Sequence, residues 1–495
     1  MTDIKKETRI IAKHSSVYML ATILNRSVGF LMIPLYTQFL VPADYGIIQL
    51  LGLTTDVIGM VISVGISSAM YRFYFDYDTE SEKNEVISTA IASFGIMALI
   101  SLLAISIFSK FLAQSILDSR NYYSYFLITF CSLWFNTIDE MGYGYLRMKE
   151  KSLSYLIFSL IKLIISLSLN IYLIAIVRLG VLGMLLSTLI SSVFISLILV
   201  VPILFKIKIR FSLLKCKEML KFGLPLIPTN LAAFTVHASD RFFIKHFTGL
   251  ADAGIYSLGY RFGNLPNEFI AVPFMQIWEV RFLKAYKERD ASKLFGQLFT
   301  YLCFLLICVG LGISALIKEV LMIISQSSYW GASKIVPVVV IAYIIFSFQY
   351  FFNMGISFEK KTHYFAYINV SNAILNIILN LTLIKMYGMW GAAFATLICF
   401  VYKVSITYYI SNRLYKIDLQ VIRIGKMALA ALGLYLVCQK CSLQPVYLSL
   451  TVKTIIICTF PLIIYFLKFY TAEEKVMLRK LYKTPRYALF QILGR

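Results

Sequence analysis

Apolar residues run in long unbroken stretches along this chain, as in Ile157–Ile176 and Gly180–Phe205, divided by short breaks rich in Lys, Arg, Asp, Ser and Gly. A helix crosses a bilayer with about 20 such residues. Transmembrane barrels alternate apolar and polar positions within segments of about 10, and no such alternation is seen. The pattern predicts an all-α polytopic membrane protein with about fourteen transmembrane helices. Their limits fall near 14–38, 45–71, 85–108, 122–146, 153–177, 180–205, 222–246, 253–280, 294–317, 335–358, 364–384, 388–411, 424–439 and 446–467. The thirteenth is the shortest.

Composition agrees. Of the 495 residues 59% are hydrophobic and 15% charged, against about 45–50% and about 25% in soluble domains. Soluble and disordered chains are excluded. The net charge of +22 would suggest nucleic acid in a soluble protein. Its placement says otherwise: 33 of the 47 Lys and Arg lie on the side that holds both termini, eight on the other and six within spans. Cytoplasmic loops carry such an excess, so both termini are expected in the cytoplasm, with no nucleic-acid partner. The charged start (Lys5, Lys6, Arg9, Lys13) lacks a small-residue cleavage site, so the first span is expected to be retained.

Little points to catalysis. The eight cysteines sit mostly in apolar runs, including Cys438 and Cys441, and the four histidines are scattered, so no metal cluster is expected. There is no G-x-x-x-x-G-K-[ST] and no Ser/His/Asp grouping. The chain reads as a non-enzyme without a cofactor. Residues 208–221 read as an interfacial helix, with Lys215, Lys217 and Lys221 set against Leu213, Leu214, Met219 and Leu220; the basic tail 468–495 reads as a surface anchor.

The chain repeats itself at about 208 residues. Ala43-Asp44-Tyr45-Gly46-Ile47 returns as Ala251-Asp252-Ala253-Gly254-Ile255, and Gly180-Val181-Leu182-Gly183 as Gly388-Met389-Trp390-Gly391. Asn136 and Glu140 fall opposite Gln349 and Asn353. A polar stripe on span five (Ser159, Lys162, Ser166, Asn170) returns on span eleven (Asn369, Asn372, Asn376, Asn380). The 3, 4, 4 spacing places each set on one helix face, which should turn away from lipid to pack or to line a wet cavity. Six spans per half make a parallel repeat, a suitable frame for alternating access. The expected division is a six-helix lobe 1–207, a linker 208–221, a second lobe 222–415, and two extra helices with the tail in 416–495.

Charges within spans are costly and often functional. The basic ones are Arg26, Lys162, Arg241, Arg261, Lys403 and Lys453; the acidic ones are Asp56, Asp139, Glu140, Asp240 and Glu268. His237, Arg241 and Lys245 form a stripe at i, i+4, i+8 on span seven. One reading is internal ion pairing, such as Arg261 with Glu268 or Arg26 with Asp56. The other is a cationic patch for an anionic headgroup, because the planar fork of Arg matches phosphate.

Phe222-Gly223-Leu224-Pro225-Leu226-Ile227-Pro228, then Ser239-Asp240-Arg241-Phe242, then Ala253-Gly254-Ile255-Tyr256-Ser257 resemble the middle of bacterial polysaccharide-biosynthesis flippases, and Pro42-Ala43-Asp44-Tyr45-Gly46 is similar to their first repeat. These belong to the multidrug/oligosaccharidyl-lipid/polysaccharide exporter superfamily. The resemblance implies a flippase of the bacterial cytoplasmic membrane. It would move an undecaprenyl-diphosphate-linked glycan between leaflets and work beside a polysaccharide polymerase and assembly proteins. Candidate substrate-binding residues are then Arg26, Arg241, Arg261, His237, Lys162, Asn372, Asn376 and Lys403. Candidate coupling residues are Asp56, Asp240 and Glu268, with proton or sodium coupling left open. The extra pair of spans is similar in number to that of lipid II flippases of the same superfamily, where it forms a lipid-tail groove. A lipid II flippase and a drug/cation antiporter of the same fold are the alternatives; the basic excess within spans disfavours the antiporter.

Overall fold

The computed structural model describes Val17, Leu24 and residues 29–63, 65–208, 210–286, 288, 290–359, 361, 363–441, 443–471 and 474–475. Among the described residues the chain is helical throughout, with no strand. A backbone in hydrocarbon must satisfy its own hydrogen bonds, and continuous helices do so.

We number the spanning helices in chain order. They are α1 (Ile33–Phe39, the described end of the first span), α2 (Pro42–Ser63), α3 (Glu80–Ser106), α4 (Tyr123–Met148), α5 (Ser152–Ile176) and α6 (Val181–Ile207). The second half holds α7 (Leu226–Thr248) and α8 (Leu250–Gly263, then a π turn at Asn267–Ala271, then Val272–Ala285). It continues with α9 (Ala291–Ile324), α10 (Ala332–Phe358), α11 (His363–Tyr387) and α12 (Met389–Leu414). The extra pair is α13 (Val421–Lys440) and α14 (Val446–Phe466). The short thirteenth helix has 20 residues and is long enough to cross. Ten of these helices are both long and apolar enough to span a membrane. Helices α4 and α7 have the length, at 26 and 23 residues, but carry Asp139 and Glu140, and Asp240, Arg241 and Lys245. Their polarity comes from the residues the sequence singles out.

The backbone repeats as the sequence does. Gly180 has φ 59° and ψ −132°, and Gly388, 208 positions on, has φ 54° and ψ −131°. Glycine adopts this conformation readily because it has no Cβ to clash. Each follows a π-helical stretch, Ile171–Ile176 and Asn380–Ile384, so the turns before α6 and α12 are built alike.

Two compact units emerge. The first comprises the described residues up to Leu258, with Ile324–Tyr329 and Asn369–Ala395; the second comprises Gly259–Ile323, Trp330–Ile368 and the described residues from Thr396 onward. In the first, Met70, Val86, Ile87, Phe94, Met141 and Leu199 form a buried core. In the second, Phe295, Phe299, Phe351, Met427 and Phe460 do the same. Helix α3 starts on a Thr79 cap, whose hydroxyl accepts the Glu82 N–H at 3.3 Å.

The linker helix runs Leu213–Gly223, with Met219 buried and Lys217 and Lys221 exposed. Lys215 is buried and reaches Glu85 at 2.9 Å and the Tyr77 ring at 4.2 Å, while Leu213 and Leu214 are exposed. The cause is that partner pair on and before α3, which draws the ammonium inward while its aliphatic stem packs. Residues 476–495 of the tail lie outside the described residues.

Candidate functional site

The polar stripe on α5 faces inward. Ser159 and Asn170 are buried and Lys162 and Ser166 half-buried, while Ile157, Ile164 and Ile171 on the opposite face are exposed. Lys162 Nζ lies 2.7 Å from Asp139 Oδ2 and 2.7 Å from Asn136 Oδ1, both on α4. From α6, Ser196 Oγ donates to Asp139 Oδ1 at 2.6 Å and Ser192 Oγ to Asn136 Oδ1 at 3.0 Å. A buried carboxylate needs this much satisfaction, and here an ammonium and a hydroxyl supply it. One step along α5, Asn170 Nδ2 donates to Ser187 Oγ at 2.9 Å, and Tyr36 OH on α1 donates to Asn170 Oδ1 at 3.2 Å. Beside this network lies a cavity of about 440 Å³, lined by Tyr143, Tyr155, Ser159, Lys162, Ser166, Thr188 and Ser191. Its wall offers hydroxyls, two phenols and one ammonium.

The stripe on α11 is also buried at Asn372, Asn376 and Asn380, with Val370, Ile374 and Ile378 exposed behind it. Ser239 Oγ on α7 donates to Asn376 Oδ1 at 3.1 Å, and Asn380 Nδ2 donates to the same oxygen at 3.0 Å. Among the described residues the amide of Asn372 has no hydrogen-bond partner on either atom, nor has Asn380 Oδ1.

The basic stripe of α7 is paired rather than open. Arg241 and Asp240 meet at 2.7 Å, and Tyr256 OH donates to the other Asp240 oxygen at 2.6 Å. The Arg241 guanidinium also donates to the His237 carbonyl and lies 5.5 Å over the Tyr256 ring. Lys245 is buried and reaches the exposed Asp118 at 2.6 Å. Glu268 accepts from Asn264 Nδ2 at 2.6 Å, and Asp56 is exposed on α2. Arg261 is half-buried, and Arg26 lies outside the described residues. Lys453 pairs with Glu319 at 2.6 Å, joining α14 to α9 in the second unit. Lys403 is buried on α12 with its ammonium 5.4 Å over the Phe346 ring, and it has no ion pair among the described residues. The structure thus brings Lys162 to a cavity and joins Asn376 to Asn380 and Ser239. It leaves Arg241 neutralised.

Asn136, Ser192, Ser196 and Tyr256 complete these networks and are not among the sequence candidates. The repeat marks Asn136; Thr188, Ser192 and Ser196 stand at i, i+4, i+8 on span six, a one-face spacing that could have singled out the two serines. Among the described residues no group of three His, Cys, Asp or Glu could hold a metal ion.

The second unit has an apolar groove of about 430 Å³. It is lined by Ile307, Leu311, Val340, Ile344, Ala428 and Leu432, among others, where α13 packs beside α9 and α10.

The fold is shared with known transporters. The lipid II flippase MurJ, in an inward closed conformation, superposes with a TM-score of 0.70 at 18% identity, covering 90% of this chain and 98% of that one. An inward-facing multidrug resistance MATE family transporter of the MOP superfamily gives 0.60 at 14%, covering 78% and 94%. A MOP superfamily transporter from Pyrococcus furiosus, described as having a binding pocket of reverse polarity, gives 0.54 at 16%, covering 82% and 95%. At these identities the likeness concerns the fold. No curated protein matches the sequence. Residues 11–278 match the polysaccharide biosynthesis protein family, more than half of the chain, and the protein is therefore a multi-pass membrane protein that belongs to that family.

Proposed function

We propose that the protein is a flippase that moves an undecaprenyl-diphosphate-linked oligosaccharide across the bacterial cytoplasmic membrane, by alternating access of its two six-helix halves. The reading rests on one observation above all. In a chain of the polysaccharide biosynthesis family, the extra helix α13 forms an apolar groove with α9 and α10, while Lys162 edges a separate cavity rich in hydroxyls. A long apolar tail with a polar headgroup needs both kinds of surface. Lys162, Asn372, Asn376 and Lys403 then contact the headgroup, together with Arg26, His237, Arg241 and Arg261. Asp56 and Glu268 are the acids open to proton or sodium coupling; Asp240 would serve only when its contact with Arg241 opens. The termini face the cytoplasm, in keeping with the Lys and Arg distribution.

The antiporter alternative needs carboxylates free to bind cations. Pairing of Asp139 with Lys162 and of Asp240 with Arg241 counts against it. The test is translocation by the purified full chain in proteoliposomes, using a fluorescent glycan on undecaprenyl diphosphate. Ala431 also lines the groove, and Ala431→Trp, which fills it, should slow translocation at least tenfold. No translocation by the unaltered protein would remove the reading.

A further inference from the structure

A third cavity, of about 400 Å³, lies wholly within the second unit. It is formed by the Val272–Ala285 stretch of α8, the last turns of α10 and the first of α11. Its walls include Phe282, Tyr350 and Phe358, with Asn353 inside and Gln276 and Ser357, both exposed, at its rim. The rings are held rigidly. Phe282 meets Phe295 edge-on at 4.6 Å and Phe351 at 5.2 Å, and Phe358 stacks on Tyr286 at 4.5 Å and 15°. Asn353 Oδ1 is buried and has no hydrogen-bond partner among the described residues. Such an acceptor carries a penalty that a ligand hydroxyl would remove. Among the described lining side chains none is charged.

This combination selects a ligand. A diphosphate or a drug cation would want charge, and a lipid tail would leave the amides and hydroxyls unused. A pyranose ring has an apolar C–H face, which suits a fixed aromatic wall, and a rim of hydroxyls, which suits an amide that both donates and accepts. The volume lies within the roughly 300–1,000 Å³ of small-molecule sites. We propose that this cavity binds an uncharged pyranose unit of the glycan, with Asn353 as its hydrogen-bonding residue inside and Gln276 at the mouth. The inference rests on the flippase reading and adds to it a sugar subsite on the Lys- and Arg-rich side of the second unit, lined by none of the residues named for the headgroup.

The test is equilibrium binding to the purified full chain in nanodiscs. The probes are bare undecaprenyl diphosphate and the same lipid carrying N-acetylglucosamine, N-acetylgalactosamine or galactose. At least one sugar-bearing lipid should bind tenfold or more tighter than the bare lipid. Asn353→Leu and, independently, the exposed Gln276→Ala should shrink that ratio at least threefold while bare-lipid binding stays unchanged. If the bare lipid binds and no sugar improves it, the subsite falls and the flippase reading stands. If a sugar improves binding and neither variant changes the ratio, or both probes weaken together, this cavity is not the subsite. If no probe binds, the flippase reading falls and the subsite with it.

Discussion

Gly46 and Gly254 lie 208 positions apart and pack against one another within the first unit. A Cβ on Gly46 would sit 2.2 Å from the Leu250 carbonyl oxygen, and one on Gly254 would sit 2.0 Å from that of Pro42. Pro42 and Leu250 are themselves 208 apart, so the contact is reciprocal: each repeat supplies the same glycine and the same carbonyl. Small residues let helix backbones approach this closely in membranes. Gly254→Leu should separate α2 from α8 and lower the melting temperature of the detergent-solubilised protein by several degrees, with Gly46→Leu giving a similar loss. An unchanged melting temperature in both would mean that the contact has no weight.

The same end of the molecule carries a second repeat-related pair of contacts. Lys245 reaches Asp118 at 2.6 Å and the Ser115 carbonyl at 3.2 Å. Subtracting and adding 208 leads to Thr37 and Gln326, where the Gln326 N–H meets the Thr37 carbonyl at 3.4 Å and Gln326 Nε2 donates to the Gln38 carbonyl at 2.6 Å. The end of the first span of each half thus holds a loop of the other half. Alternating access requires that one such set of ties opens. Cysteines at 118 and 245 joined by a flexible bis-maleimide should abolish translocation, and each single cysteine treated alike should retain it. Full activity after complete cross-linking would show that this end stays closed during transport.

The spans and the repeat were legible because apolar runs and fixed offsets are written directly in the sequence. The inward faces of α5 and α11 were legible too, since spacing places Ser159 with Asn170 and Asn372 with Asn380 on one side of a helix. Partners were not. Periodicity assigns a residue to a face but does not say which neighbour meets it, so the pairing of Arg241 with adjacent Asp240, and of Lys162 with Asp139, emerged only from packing. Lys215 shows the same limit: the amphipathic pattern gave the helix, but not that Glu85 and the Tyr77 ring would draw this one lysine inward.

Lys162 and Asp139 allow structure and transport to be separated. Asp139 is 1% exposed, so Lys162→Met leaves a buried charge without its cation and should destabilise the protein by about 2–4 kcal/mol. Adding Asp139→Leu removes the orphan and should restore most of the melting temperature. If the ammonium also serves the headgroup, the double variant should fold and translocate poorly, at a tenth of the normal rate or less. A double variant with normal stability and normal transport would reduce the pair to packing.

Glu474, beyond α14, ties α13 to α9 through Arg423 and Tyr301 and sets an acid limit. Burial raises its carboxyl pKa. Hydrogen bonds from Arg423, the Thr471 N–H and Tyr301 outweigh that effect, so the net displacement is below the ordinary glutamate value. The Arg423 contacts are 2.6 and 2.9 Å, and Tyr301 OH donates at 2.8 Å. A carboxyl with a lowered folded-state pKa stabilises fully above its unfolded value of about 4.3 and loses that contribution as pH falls through the folded value. Unfolding curves should therefore shift to lower temperature as the pH drops from about 5 toward 3, and Glu474→Gln should remove part of that slope while lowering stability at pH 7 by about 1–3 kcal/mol. Equal slopes for the variant and the native protein would mean that other carboxylates set the acid limit.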